Sequence, residues 1–350
     1  MASAREGFTI DLVGDLVNKS LLNPYLTVPI AAAISWSQHT GLDASGPVSS
    51  LGYVAWALVA VGAISSANNY LTKWYANNWT RTKPDEWNWD EEIVVVTGGS
   101  SGLGASIVQT LLARNARTTV VVLDIVPLKW TLPGDNSKGH TGSRVHFYQC
   151  DLSDSSSLRS VCARVKTEVG DPTVLVNNAG VGSGLTVMES SCADIESTLG
   201  TNLKAPFLMI KEFLPAMIER DHGHVVNISS ISALTPPPAF ADYAASKAGL
   251  IALHESLQLE LKHRNKAPTV RLTLGIFSYI RTPLFRGDTG LPHFFFPLLE
   301  VETVSEALVD VLYSGYGKTV YMPGMTRCVA AFRGAPEWVL RILRNGTAEM

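Results

Sequence analysis

Apolar residues crowd the front of this chain. Ser20 to Leu42 and Ala44 to Thr72 contain no Asp, Glu, Lys or Arg, and Asp43 alone separates the two stretches. Leu51 to Ala67 (LGYVAWALVAVGAISSA) reads as a membrane helix near the shortest length that spans a bilayer. Leu21 to Trp36 is interrupted by Pro24 and Pro29, which predicts half of a hairpin or a segment lying in the interface. Trp36, Trp74 and Trp79 flank these runs as an aromatic belt would. Lys19 precedes them, Lys73, Arg81 and Lys83 follow them, and the intervening loop has no Lys or Arg, so both ends are expected to face the cytosol. Glu6, Asp11 and Asp15 speak against a cleaved signal peptide. Two core helices of a soluble domain are the competing reading, but such helices carry a polar stripe that is scarce here.

After residue 92 the rhythm changes to short β-branched runs alternating with longer helical patterns. That alternation predicts an α/β domain over residues 93–325, a doubly wound Rossmann-type parallel sheet of about seven strands with helices on both faces. Asn77 to Glu92 (NNWTRTKPDEWNWDEE) is polar and is expected to link it to an N-terminal membrane-associated segment, residues 1–76. Residues 326–350 form an amphipathic tail, where Trp338, Val339, Leu340, Ile342 and Leu343 mix with Arg341 and Arg344. It suits a membrane surface, the sheet edge or a dimer partner equally.

Charge narrows the functional classes. Lys and Arg number 28 against 31 Asp and Glu in 350 residues, a net charge of −3, so a nucleic-acid-binding surface is not expected. With 46% apolar and 17% charged residues the chain has ample material for a core. Its four Cys show no CxxC spacing, and His222 and His224 lack a third nearby ligand, so neither a disulfide scaffold nor a metal site is expected.

Candidate chemistry begins where the first strand, Ile93 to Val96, delivers Thr97-Gly98-Gly99-Ser100-Ser101-Gly102-Leu103-Gly104 into a helix. Glycines there let backbone amides approach a pyrophosphate at the positive end of that helix. The next strand, Thr119 to Leu123, ends at Asp124, twenty residues beyond Gly104. A carboxylate at that tip accepts from both ribose hydroxyls and repels a 2′-phosphate, which favours NAD(H) and leaves NADP(H) open. Tyr243 and Lys247 stand one helical turn apart in ADYAASKAGLIALHESLQLELK. A phenol with a pKa of about 10 is a poor base at neutral pH, and a neighbouring ammonium would favour its phenolate.

The glycine run, Asn177-Asn178-Ala179-Gly180 after Val174 to Val176, and Tyr243-Ala-Ala-Ser-Lys247 together resemble the short-chain dehydrogenase/reductase superfamily over about residues 93–325. More narrowly, the apolar N-terminus, the Trp-rich linker and Leu123-Asp124-Ile125 look similar to membrane-associated members related to retinol and 17β-hydroxysteroid dehydrogenases, notably fungal ones. The resemblance implies an oxidoreductase that interconverts an alcohol and its ketone or aldehyde. Tyr243 would be the acid/base and Lys247 would tune it and bind the nicotinamide ribose. Ser230 would position the substrate oxygen, and Asn202 would complete a proton path. Ser229 is a neighbouring candidate, but strand alternation admits only one of the pair, and the family spacing to Tyr243 selects Ser230. By the same matching, Asp151 would meet the adenine, Asn178, Ala179 and Gly180 would lie beneath the adenosine ribose, and Ile280 and Thr282 would contact the nicotinamide side.

Two departures stand out. Phe277-Ser278 replaces the family's usual Pro-Gly upstream of Thr282, which puts the shape of that loop in question. Pro127 to Ser143, with Trp130, Pro133 and Gly134, is longer than an ordinary connection between adjacent elements. Phe285 to Leu299 occupies the place of the family's substrate lid, and its Phe294, Phe295 and Phe296 point to a lipophilic substrate such as a retinoid, steroid, long-chain alcohol or fungal terpenoid or polyketide intermediate. An endoplasmic reticulum or lipid-droplet membrane is the expected partner, and the family's dimer-forming helices leave a homodimer open. Two other classes remain: a lipid-surface structural protein that retains a nucleotide site, and a reductase within a secondary-metabolite pathway.

Overall fold

The computed structural model describes residues 5–40, 47–82, 87–130, 144–285 and 290–346. Asp43, Lys83, Pro133 and Gly134, singled out above, lie outside these residues. In chain order the elements are α1 (Ile10–Lys19), α2 (Pro24–His39), α3 (Pro47–Ala76), β1 (Ile93–Thr97), α4 (Gly102–Arg114), β2 (Thr119–Asp124), β3 (Val145–Gln149) and α5 (Ser155–Glu168). They continue with β4 (Val174–Asn177), α6 (Cys192–Leu199), α7 (Ala205–Arg220), β5 (His224–Ser230), α8 (Ala241–Glu260), β6 (Arg271–Phe277), α9 (Val301–Ser314), β7 (Thr319–Met322), α10 (Thr326–Phe332) and α11 (Glu337–Asn345).

The β-branched runs pair as one seven-stranded sheet in the order β3-β2-β1-β4-β5-β6-β7, and every neighbouring pair is parallel. Parallel strands need both faces covered, and each face has its own core. One joins Val95, Val121 and Leu175 to Met209, Phe213 and Leu257, and the other joins Val94, Val122 and Val176 to Ile107, Leu111 and Leu308. The Rossmann-type sheet expected from the sequence is therefore the fold, its strands lying between Ile93 and Met322.

The apolar N-terminus folds as a helical pair. Pro24 does not break α2 but begins it, after Asn23, whose side chain accepts from the Tyr25 amide at 3.0 Å; Pro29 sits inside the helix. A first-turn proline gives up an amide hydrogen that would have had no intrahelical partner. α2 lies against α3, where Trp56 Nε1 donates to Ser35 Oγ at 2.9 Å and a side chain on Gly62 would collide with the Leu22 carbonyl. Within α3, Ser50–Ala76 is long and apolar enough to cross a membrane, and only 11% of its apolar window is buried. That exposure is the reverse of a core helix.

Residues 77–82 and 87–92 are docked along the domain. Asn77, 1% exposed, donates from Nδ2 to the Gly317 carbonyl at 2.9 Å and accepts from the Gly317 amide at 2.7 Å. Arg271, at the start of β6 and 2% exposed, donates to the Asn77 and Gly315 carbonyls and to the Thr80 and Thr82 hydroxyls at 2.7–3.2 Å. Trp89 stacks on Tyr313 with centroids 4.0 Å apart. The polar letters of this segment are thus acceptors for a buried cation rather than signs of a free tether. The tail forms two short helices, and α11 leaves Trp338 and Ile342 exposed.

Arg271→Met should orphan the carbonyls and hydroxyls that converge on the guanidinium. A loss of about 3 kcal/mol, or a fall of roughly 10 °C in Tm, is expected in thermal unfolding of the detergent-solubilised chain.

Candidate active site

Because all strands are parallel, the tips of β1, β2, β4, β5 and β6 meet at one edge of the sheet and enclose a cleft of about 480 Å³. At one end, Gly98 adopts φ +67° and Gly102 φ +54°, conformations that favour glycine. A Cβ on Gly104 would strike the Gly98 carbonyl, and one on Gly98 would come within 2.9 Å of Ala179 Cα. Thr97 Oγ1 accepts from the amides of Asn178 and Ala179, both at 3.0 Å, and Asn178 Nδ2 donates to the Thr97 carbonyl at 2.9 Å. The Thr97–Gly104 loop and the Asn178–Gly180 turn therefore form one tight cradle whose amides head α4, a donor set that fits a dinucleotide's pyrophosphate.

Asp124, 9% exposed, lines this end. Its carboxylate accepts from the Ser100 amide at 2.9 Å and the Val126 amide at 3.1 Å. Lone pairs remain on both oxygens for further donors. Asp151 also lines the cleft and is exposed; its Oδ1 accepts from the Ser153 amide at 2.9 Å and hydroxyl at 2.7 Å. Ser101, Gly102 and Leu103 complete this wall.

At the other end, Ser230 closes β5 and Tyr243 lies in the first turn of α8, with Lys247 one turn further on. The hydroxyl of Ser230 meets the Tyr243 phenol and also accepts from the Ser232 amide at 3.1 Å. Ser229 turns away and donates to the Lys247 carbonyl at 2.9 Å, the alternation expected of a strand. Lys247 Nζ donates to the Ile228 carbonyl at 2.8 Å and lies 5.6 Å from the centre of the Tyr243 ring. Burial lowers the Lys247 pKa to about 8. Burial also raises the Tyr243 phenol, against the pull of Ser230. The lowering of the phenol expected from Lys247 is not what the protein alone shows: desolvation, which penalises the phenolate, sets the direction.

Asn202 is fully buried in a π-helical turn, Gly200–Lys204, between α6 and α7. Single π turns insert an extra residue and commonly mark functional sites. The amide side chain accepts from the Val181 amide and donates to the Val181 carbonyl, both at 2.8 Å, and donates to Ser246 Oγ at 3.1 Å. It ties the Asn178–Gly180 turn to the helix that carries Tyr243 and Lys247.

The Phe277-Ser278 departure has a local compensation. The Phe277 ring lies over Gly275, where a Cβ would come within 2.6 Å of it, and the Ser278 amide donates to the Met322 carbonyl at 2.9 Å. The chain then pairs through Leu299, which donates to the Tyr279 carbonyl and accepts from the Arg281 amide, both at 2.9 Å. Ile280 and Thr282 consequently reach the cleft, with Thr282 Cβ 3.5 Å from the site of a Cβ on Gly102.

One contributor escaped the sequence reading. The segment after β2 is laced to the glycine loop: Ser100 Oγ donates to the Val126 carbonyl at 2.8 Å, and the Trp130 indole donates to the Gly99 carbonyl at 2.9 Å. A tryptophan just past a strand tip, in an overlong connection, was the available signal. His222 and His224 engage Glu92 and Thr273, and burial lowers His224 to about 3. Among the described residues no group of three His, Cys, Asp or Glu is placed to hold a metal.

This fold and motif set define an oxidoreductase class: residues 92–288 match the short chain dehydrogenase family model, and the chain belongs to that family. Dehydrogenase RED2 of Cochliobolus heterostrophus is 39% identical over 217 residues, covering 62% of this chain and 77% of that protein. Human epidermal retinol dehydrogenase 2 is 34% identical over 222 residues, covering 63% and 71%. A Burkholderia cenocepacia short chain dehydrogenase, solved in complex with NADP, aligns with TM-score 0.57 and 25% identity over 73% of this chain and 98% of that one.

Two outcomes test the geometry. A pKa lowered from 10.5 to about 8 means the buried ammonium costs about 3 kcal/mol below pH 8, and stability should rise between that pH and 10.5 as the folded state sheds its proton first. Lys247→Met should therefore unfold at higher temperature than the parent at pH 7 and lose that pH dependence. Trp130→Phe, which keeps a ring but not the donor, should weaken NADH binding by about three- to tenfold, the worth of one hydrogen bond, in a fluorescence titration.

Proposed function

We propose that this short-chain dehydrogenase interconverts a lipophilic alcohol and its ketone or aldehyde, using NAD(H), at an intracellular membrane. The observation that carries the reading is the convergence of Ser230, Tyr243 and Lys247 at one end of a cleft whose other end is a glycine cradle with a carboxylate beside it. When bound, the nicotinamide supplies or receives the hydride. Ser230 holds the substrate oxygen beside the phenol, and Tyr243 gives that oxygen a proton in reduction or takes it in oxidation. Lys247, held by the Ile228 carbonyl beneath the ring, favours the phenolate when charged and stands ready for a ribose hydroxyl. Asn202 fixes the wall between cradle and helix, and Thr282 and Ile280 stand at the nicotinamide side.

Asp124 favours NAD(H) because a 2′-phosphate would meet a carboxylate already fixed in place by two amides. Solved relatives are described in complex with NADH as well as with NADP. A lipophilic substrate is supported by the exposed apolar hairpin and by relatives named retinol dehydrogenase, whereas Phe294 packs on Phe8 and Phe295 and none of Phe294, Phe295 and Phe296 lines the cleft. The membrane reading places α2 and α3 in the endoplasmic reticulum or lipid-droplet surface, with the catalytic domain in the cytosol.

Titration with NADH and NADPH, followed by nicotinamide fluorescence, tests the cofactor site. NADH should bind more tightly than NADPH, and Asp124→Ala should narrow the gap. Tyr243→Phe should retain NADH binding while turnover of retinol or a steroid alcohol falls by about 10²–10⁴. Turnover that Tyr243→Phe leaves unchanged would remove Tyr243 from the reaction, whereas a parent chain that binds NADH without turning over would leave the nucleotide site as that of a lipid-surface structural protein.

A further inference from the structure

Residues 5–19 precede the hairpin, yet they fasten to the segments that follow β6 and β7. Glu6, 7% exposed, accepts from the Glu300 amide at 3.1 Å, and the Ile10 amide donates to the Phe294 carbonyl at 2.8 Å. Asp11 receives the Gly324 amide on both carboxylate oxygens at 2.9 and 2.8 Å, and the Phe8 and Phe294 rings lie 5.5 Å apart. Phe294 to Glu300 is the same stretch whose Leu299 pairs across Ile280 at the cleft. The N-terminal strap thus pins the far side of the substrate loop.

The strap also fixes where the hairpin points. Gly324 follows β7 at the carboxyl edge of the sheet, so α1 sits at that edge. α3 ends at the opposite edge, where Asn77 bonds Gly317 just ahead of β7 and Gln258, near the end of α8, donates to the Ala76 carbonyl at 3.4 Å. Between these points Gly62 of α3 passes beside Leu22, three residues beyond α1. α3 has 30 residues, about 45 Å at 1.5 Å per residue, against strands of 4–7 residues, so from the edge where it ends it is much longer than the sheet is tall. The cleft opens on the carboxyl edge. Phe8, just ahead of α1, and Leu12 and Leu16, one turn apart on it, are 69%, 40% and 67% exposed, and Leu21 and Tyr25, where the chain enters the hairpin, are exposed too. An exposed apolar stretch that leads directly into the hairpin meets whatever the hairpin meets.

We infer that the lipid surface lies over the carboxyl edge of the sheet, with the outer face of α1 in contact with it. A substrate dissolved in the bilayer then enters the cleft beneath a loop held at the lipid boundary. This rests on the reading that α2 and α3 enter a membrane.

The test is nitroxide labelling of the full-length chain in phosphatidylcholine vesicles, in a Cys192→Ser, Cys328→Ser background, with single labels at Val54→Cys on the hairpin, Leu16→Cys on α1 and Lys262→Cys at the amino edge. Collision with oxygen reports lipid and collision with a water-soluble nickel chelate reports water. Val54 and Leu16 labels should favour oxygen, and the Lys262 label should favour nickel. If Val54 favours oxygen but Leu16 favours nickel, the hairpin reading stands and the orientation is overturned. A Leu16 label shielded from both reagents would place a protein surface, such as a second copy, on α1 and overturn it equally. A Val54 label in water would overturn the membrane reading itself.

Discussion

All seven strands run the same way, and most of what this protein can do follows from that constraint. Parallel strands cannot be joined by tight turns, so the crossovers β1–β2, β3–β4, β4–β5, β5–β6 and β6–β7 carry helices over the faces and both faces become core. Every strand then releases its chain at the same edge. Residues distant in sequence, such as Gly98 at the tip of β1, Asp124 at β2, Ser230 at β5 and Thr282 beyond β6, meet without any of them being neighbours in the chain. The cleft is a by-product of strand direction.

Much of that edge was legible beforehand because its chemistry is local. Glycines with positive φ, a carboxylate at a strand tip and a Tyr and Lys one turn apart each announce themselves within a few residues. What stayed hidden depends on partners far away in sequence. Nothing in NNWTRT says that its carbonyls and hydroxyls will surround Arg271, some 190 residues later. Nor does the acidic Glu6 and Asp11 pair, which argued against a signal peptide, disclose that both carboxylates will accept backbone amides from the substrate side of the domain. Proline interrupts less than its place in an apolar run suggests: Pro24 lies in the first turn of α2, where its missing hydrogen costs nothing. Trp130 belongs to a segment whose length was noticed, while its hydrogen bond to Gly99 depends on how that segment folds back.

The site is also a place where stability is given up. Lys247 is held as a cation in the interior by a neutral carbonyl, and Tyr243 is buried enough that its phenolate is disfavoured. These groups are kept near their working forms by desolvation acting against hydrogen bonding, a balance that a bound cofactor's charges can tip. The fully buried Asn202, by contrast, has both of its amide atoms satisfied and contributes rigidity where the chain turns from one half of the site to the other.

Arg271 reaches beyond anchoring. Its guanidinium sits inside the catalytic domain, but several acceptors come from the residues that leave the apolar hairpin. A chain in which that segment has not docked leaves a buried cation short of partners, so the sheet cannot settle fully at β6. Docking of the segment and completion of the sheet are thereby coupled, and a change that pulls Asn77, Thr80 and Thr82 away would be felt inside the domain that carries the cleft.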